Sequence, residues 1–400
     1  MTISVPRKAF VSGAQAEDAD EAFLEGIRRI ADEVAAKHAT HVDLHARFPR
    51  ESIDALKEMK ALSAFVPTDL GGSGVSFGAL AEACLELGKR CGASAMVFAM
   101  HQIQVVTLVR HAAKQPFFKQ YLRRLAAEQR LIASVTSEVG TGGDMGSSVA
   151  ALTPADDGYS FTKQAPTVSY GAYADDLLTT LRRSPDAEPG DQVAVLTHAG
   201  QHNLDPQGTW DPFGMRGTCS PGYIVSAKLP AEQVVDAPFS AIAPQSMVPV
   251  SHVLWSHLWL GIATDAFERS RAFVRAAAKR TPGVTPPAAT KLSHVLGDLQ
   301  LMRGEVKAGV ADYVEHFGDP DWLMTVGAAL RFNNLKIATS DQAPRICQAA
   351  MGVTGIVGFK NDTPFAVGRH LRDSMSACLM IANDRIHSTN AGLLLIAKDV

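Results

Sequence analysis

Several functional classes are excluded by what the chain has little of. Its 400 residues hold five cysteines, Cys84, Cys91, Cys219, Cys347 and Cys378. They are odd in number and scattered, with no C-x-x-C pair, so neither a disulfide framework nor a thiolate metal clamp is expected. A reduced, cytoplasmic setting is the simplest expectation. Net charge is only −3, which leaves no cationic surplus for nucleic acid or an anionic membrane. No uninterrupted apolar run is long enough to span a bilayer. Met1 to Phe10 lacks the apolar core of a secretory signal. Internal repeats and low-complexity tracts are absent.

What remains is a globular composition, 46% hydrophobic and 20% charged, with enough length for two to three packed domains. Phe23, Ile27, Ile30 and Val34 recur at helical spacing, as do Leu80, Cys84 and Leu87. Ala95 to Val109 reads as a nearly all-apolar helix, hence a buried one. From about Leu131 the pattern changes. Tyr159 to Lys163, Leu177 to Leu181, Val193 to Thr197 and Tyr223 to Leu229 are short β-prone runs separated by turn formers. After Pro249 helices return: His252 to Lys279, Ala288 to Phe317, Trp322 to Ser340 and Leu371 to Ala397. Long helices with short connections predict an antiparallel bundle. The expected fold is mainly α with a β insert. Its expected parts are an N-terminal helical domain (1–130), a middle β domain (131–245) and a C-terminal helical bundle (246–400).

One loop stands out at the helix-to-strand transition: Thr136-Ser137-Glu138-Val139-Gly140-Thr141-Gly142-Gly143-Asp144. Three glycines in four positions permit backbone conformations that a Cβ blocks. Free N–H groups and nearby hydroxyls suit a polar or anionic ligand. A simple turn has the same composition. His38, His41 and His45 share a helix face and could ligate a metal. A closed site needs further ligands that the neighbourhood lacks, so no metal is expected.

Together the motifs resemble the acyl-CoA dehydrogenase family over nearly the whole chain. Pro67 to Gly74 resembles its Gly-Gly loop. Leu85-Glu86-Leu87-Gly88, with Cys91, Ser94, Ala95 and His101, is similar to its buried helix pair. Thr136 to Asp144 resembles the flavin-binding loop. Phe213 to Thr218 resembles the Gly-x-Arg turn. Gly352 and Gly355, then Arg369, Arg372 and Asp373, match the C-terminal glycine turn and Arg-Asp pair. The resemblance implies a helical domain, a β-barrel-like domain and a four-helix bundle, assembled as a homodimer or homotetramer. It also implies FAD as cofactor, an acyl-CoA or carrier-bound acyl thioester as substrate, and electron-transfer flavoprotein or another acceptor as partner.

Carried over by position, Ser134, Thr136, Ser137 and Ser169 contact the flavin, and Gly142 and Gly143 let the backbone approach the cofactor or the acyl carrier. Arg280 reaches a neighbour's pyrophosphate, and Gly352 and Gly355 form the cofactor's glycine turn. Gly143 stands where the family has serine, Val139 where it has proline, and Thr167 where it has an aromatic. The proton acceptor is the main departure. Its usual position holds Ile381, in a stretch, Ser374 to Leu395, that reads as continuous helix. The alternative position holds Ser251. Removing an α-proton requires a positioned base. Asp384, one helical turn past Ile381, His252, beside Ser251, and His101, on the apolar helix, are the substitutes. Asp384 equally suits a surface pair with Arg385, and His252 a core position. The expected activity is therefore α,β-dehydrogenation of a thioester with a displaced base. The alternatives are a flavin-dependent monooxygenase, which needs no such base, and a non-catalytic acyl-CoA or flavin-binding homologue.

Overall fold

A computed structural model describes residues 13–397; Met1 to Phe10 lies outside the described residues. The first layer is helical: α1 (Gly13–Ile30), α2 (Ala36–Leu44), α3 (Arg50–Glu58), α4 (Phe77–Arg90), α5 (Gly92–His111) and α6 (Pro116–Glu128). Seven strands follow: β1 (Ile132–Val135), β2 (Thr153–Ala155), β3 (Gly158–Ala165), β4 (Asp176–Arg182), β5 (Gln192–His198), β6 (His202–Gln207) and β7 (Gly222–Leu229). The rest is helical again. It comprises α7 (Phe239–Ile242), α8 (Val248–Arg280), α9 (Ala288–His316), α10 (Pro320–Leu323), α11 (Val326–Thr354), α12 (Ile356–Phe359), α13 (Gly368–Met375) and α14 (Asn383–Leu394).

The strands form two small sheets. In one, β4 pairs parallel with β1 and antiparallel with β5. The other is antiparallel in the order β2-β3-β7-β6. Inward positions of β3 and β7, such as Phe161, Ala165, Val225 and Leu229, are buried, while Thr162, Gln164 and Lys228 face out. That is the period-two alternation of a half-buried sheet.

Helices α8, α9 and α11 pack together, and α13 and α14 lie against α11. The N-terminal helices join this bundle through α4 and α8. A Cβ on Gly88 would lie 2.6 Å from the Leu258 carbonyl oxygen, and one on Gly261 2.3 Å from that of Leu85. Each glycine is thus the space into which the other helix's backbone fits.

Two elements bear on the expectations above. Among the described residues, α5 does have the length and mean hydropathy of a membrane span, but 89% of its most apolar window is buried inside the fold. Its His101, Gln102, Gln104 and Thr107 interrupt the apolar run in sequence and are all buried. Second, Ser374 to Leu395 is not one helix. α13 ends at Met375, α14 begins at Asn383, and a turn separates them.

Candidate functional site

The site is built where β1 and β3 end and the α13–α14 turn approaches. Beyond β1, Ser137 Oγ donates to the Thr167 carbonyl at 2.7 Å, tying the two strand ends together. Glu138 turns inward. Its carboxylate accepts from Ser148 Oγ at 2.6 Å and from the Ala150 N–H at 2.5 Å, and lies 3.4 Å from Lys163 Nζ. Lys163 also donates to the Thr180 carbonyl at 2.7 Å, and burial lowers its pKa to about 8. This buried pair fixes the root of the loop, so the glycines beyond it project from a rigid base.

Gly140, Gly142 and Gly143 have φ of +95°, +59° and +78°, values that favour glycine. Thr141 Oγ1 donates to the Glu138 carbonyl and accepts from the Gly143 N–H. Ser169, half-buried, accepts from Ser220 Oγ at 2.9 Å. Among the described residues nothing accepts from the N–H of Ser137 or Ser169. Ser134 and Thr136 are also half-buried. Tyr170 is fully buried and donates to the Ile132 carbonyl at 2.9 Å, so it packs rather than stacking on a ligand.

Opposite this loop is α14. A Cβ on Gly143 would lie 2.5 Å from Arg385 Nη1, so the guanidinium rests on the glycine. One turn earlier, Ile381 occupies the α13–α14 turn at φ +46°, unusual for a β-branched residue. Lys336 Nζ donates to the Ile381 carbonyl at 3.1 Å and to Asn383 Oδ1 at 2.6 Å. Asn383 Nδ2 in turn reaches Asp341 Oδ1 at 2.8 Å. Lys336 lies fully inside the fold, and burial lowers its pKa to about 8. Sequence reading missed both Lys336 and Arg385. The available signal was a lysine four residues after Phe332, on the apolar face of its helix.

The remaining candidates lie apart in environment. His252 is buried in α8, with Nδ1 3.0 Å from the Phe332 carbonyl. Burial, then the nearby Lys336 charge, lowers its pKa to about 3, which makes it a poor proton acceptor at neutral pH. Ser251 Oγ donates within its own helix to the Val248 carbonyl. Asp384 is exposed in the first turn of α14 and, among the described residues, makes no ion pair, with Arg385 or any other cation. Arg280 is exposed at the end of α8. Gly352 is exposed near the end of α11, and Gly355, at φ +59°, breaks α11 from α12. His41 and His45 stack at 4.0 Å, while His38 lies 3.4 Å from Glu51.

The Gly-x-Arg turn and the Arg-Asp pair meet directly. Met215 N–H donates to Asp373 Oδ1 at 2.7 Å, and a Cβ on Gly214 would overlap the Arg372 carbonyl. Arg372 also pairs with Asp43 of α2. Burial raises the Asp373 pKa to about 6. This joint holds the strand layer against α13.

Residues 17–129 match the model of the acyl-CoA dehydrogenase N-terminal domain. The chain is similar to the acyl-CoA dehydrogenase family, whose N-terminal domain matches its first helical layer. It is 22% identical to a probable acyl-CoA dehydrogenase, YngJ of Bacillus subtilis, over 88% of this chain and 90% of that protein. It is 29% identical to the dibenzothiophene monooxygenase of Mycolicibacterium goodii over 59% of each. Among solved structures, FMN-bound TdsC from Paenibacillus sp. A11-2 superposes with a TM-score of 0.78 at 19% identity, covering 95% of this chain and 97% of that one. The fold expected from the sequence, helical layers around a β insert, is the fold of this family.

The residues fit a flavin. Two unpaired N–H groups and several hydroxyls sit at converging strand ends beside a glycine loop rooted by a buried ion pair. Such donors suit the polar edge of an isoalloxazine ring. Ser134, Thr136, Ser137 and Ser169 would hold it.

Proposed function

We propose that this protein is a flavin-dependent oxidoreductase that works as a monooxygenase on reduced flavin, rather than as a thioester dehydrogenase. One observation carries the choice. The two positions that take the family's proton acceptor hold Ile381 and Ser251, and the substitutes near them are a buried histidine on a carbonyl and an exposed aspartate. α,β-Dehydrogenation has no step without a base. Oxygen transfer needs none. The likeness to dibenzothiophene monooxygenase supports the same reading.

When bound, the flavin supplies two electrons and activates dioxygen. One oxygen atom enters an electron-rich organic substrate and the other leaves as water. A partner reductase supplies the reduced flavin. The chain's own contribution is to orient the ring through the Ser137 and Ser169 donors. Ile381, 38% exposed, brings no carboxylate to this turn.

The test supplies the protein with a flavin, a reductase and a panel of aromatic sulfides, indoles and phenols under labelled dioxygen. One labelled atom in a product is expected. Anaerobic bleaching of the bound flavin by a saturated acyl thioester would sink the reading and return the dehydrogenase, which the length of the match to YngJ favours.

A further inference from the structure

Helices α5 and α8 pack along one another, and two contacts fix how. A Cβ on Gly92, at the start of α5, would lie 3.0 Å from Ile262 Cδ1. At the other end, His111 Nε2 lies 2.5 Å from Ser246 Oγ, in the turn that leads into α8. The helices therefore run antiparallel, and equal rises from both anchors bring Gln104 level with the turn of α8 that holds Ser251. Gln104 and Thr107 precede His111 by seven and four residues, so the three share one face of α5. Ser251 and Trp255 precede Ile262 by eleven and seven, and share the facing side of α8.

This seam holds polar atoms without partners. Gln104 Oε1, Thr107 Oγ1 and Trp255 Nε1 are buried and, among the described residues, make no hydrogen bond. Gln104 uses its amide nitrogen on the Met100 carbonyl at 3.2 Å, which leaves the oxygen free. A buried polar atom left unpaired is costly. Here the facing helices offer an acceptor, a donor and a hydroxyl that serves as either. Met100, one turn from Gln104 on the same face, is half-buried, so solvent reaches this side of α5. No Asp, Glu, Lys or Arg occurs from Ala93 to Val109 or from Val248 to Thr264, so nothing on the facing stretches would compensate a ligand's charge.

We propose that Gln104, Thr107 and Trp255 select the substrate: a compact, uncharged molecule that carries both a hydrogen-bond donor and an acceptor, such as a cyclic amide. Apolar walls with a few placed polar groups suit such a ligand. An unsubstituted alkyl chain would leave all three atoms unpaired, and a site built to hydrogen-bond rejects the analogue that cannot. This names the substrate class for the oxygen transfer proposed above and rests on that reading for the reaction; binding in the seam does not.

The probes are oxindole, a cyclic amide, and indane, the hydrocarbon of the same ring sizes, titrated into the full chain with and without FMN. The four tryptophans give indole N–H signals by NMR, and Trp255→Phe identifies that of Trp255. Oxindole should shift the Trp255 signal and bind about tenfold or more tighter than indane, the size of one or two hydrogen bonds. Gln104→Leu and Trp255→Phe should each remove most of that preference and leave the unliganded melting temperature equal or higher, since each deletes an unpaired polar atom. Where either variant fails to fold, Thr107→Val carries the same comparison. Equal affinity for the two probes, no binding of either, or a preference unchanged in the variants overturns the proposal. So does a lowered melting temperature in Gln104→Leu, which would mean that the oxygen already has an internal partner. If oxindole binds with this dependence but no labelled oxygen enters any product, the oxygen-transfer reading fails and the seam stands. A labelled product from a protein indifferent to oxindole sinks the seam alone.

Discussion

The Lys336 ammonium caps the main-chain carbonyl of Ile381 from inside the bundle, at 3.1 Å, and has no carboxylate within ion-pair distance among the described residues. A buried lysine thus holds the residue that stands in the place of the family's base. The turn it holds puts a β-branched residue at positive φ, a conformation that persists only when its surroundings impose it. Trp259 lies under the ammonium, 6.0 Å from ring centre to nitrogen. The ring face and two acceptors offset part of the cost of burying the charge.

Lys336→Met should raise the melting temperature at pH 7, because it removes an unpaired buried charge. The advantage should shrink with pH. Burial lowers the Lys336 pKa to about 8 in the folded state, against about 10.4 in an unfolded chain. Between those values the unfolded state binds more protons, so wild-type stability rises relative to the variant as pH climbs. Melting curves of both proteins from pH 7 to 10.5 measure this. A difference independent of pH would place the ammonium in solvent. In the same variant, amides of residues 378–382 should exchange faster.

His252→Gln separates a structural histidine from a catalytic one. The wild-type ring stays neutral because its pKa is lowered to about 3, against about 6.5 when unfolded. It therefore contributes stability above pH 6.5 that is lost as pH falls toward 3. Glutamine retains a donor for the Phe332 carbonyl and does not titrate. The variant's acid-unfolding midpoint should move to lower pH, with stability at pH 7 changed by roughly 1 kcal/mol or less. Turnover should survive; loss of turnover with an intact fold would make His252 a participant in the chemistry.

Much of this architecture is legible in the sequence because its signals are local. β3, β4, β5 and β7 each coincide with a β-prone run bounded by turn formers. β6 escapes notice because His202 to Gln207 is polar and carries Pro206. It is an edge strand, where a missing N–H costs little. α11 continues past Ser340 to Thr354 despite Pro344, because Ala343, Ile346, Cys347 and Ala350 bury a continuous face in the bundle. The site is less legible. Met375 to Ala382 contains no glycine or proline, so nothing local announces a turn; the break depends on Lys336, 45 residues away. Arg385 reads as a solvated charge until Gly143 is seen beneath it.

The α4–α8 crossing should be intolerant of any side chain. Gly261→Ala would place a methyl 2.3 Å from the Leu85 carbonyl oxygen, and Gly88→Ala one 2.6 Å from that of Leu258. In each case the obstacle is backbone, so a helix must shift. Overpacking of this kind costs about 1–3 kcal/mol or more. Urea unfolding should show losses at least that large for each variant. A loss of a few tenths of a kcal/mol would mean that the helices slide freely.

The root of the glycine loop can be tested through its ion pair. Glu138→Gln leaves the Lys163 ammonium, 1% exposed, without its counter-charge. Breaking one side of a buried pair costs about 3–5 kcal/mol, whereas replacing both partners with apolar groups is often neutral. Lys163→Met added to Glu138→Gln should therefore recover part of the lost stability, less the hydrogen bonds that Ser148 and Ala150 give to the carboxylate. The same single variant should expose residues 136–147 to limited proteolysis and weaken flavin binding, since Ser137 and the glycines lose their fixed base. If Glu138→Gln unfolds no more easily than the wild type and the loop stays protected, the pair does not anchor the loop, and the rigidity of the cleft must come from the Met215–Asp373 joint instead.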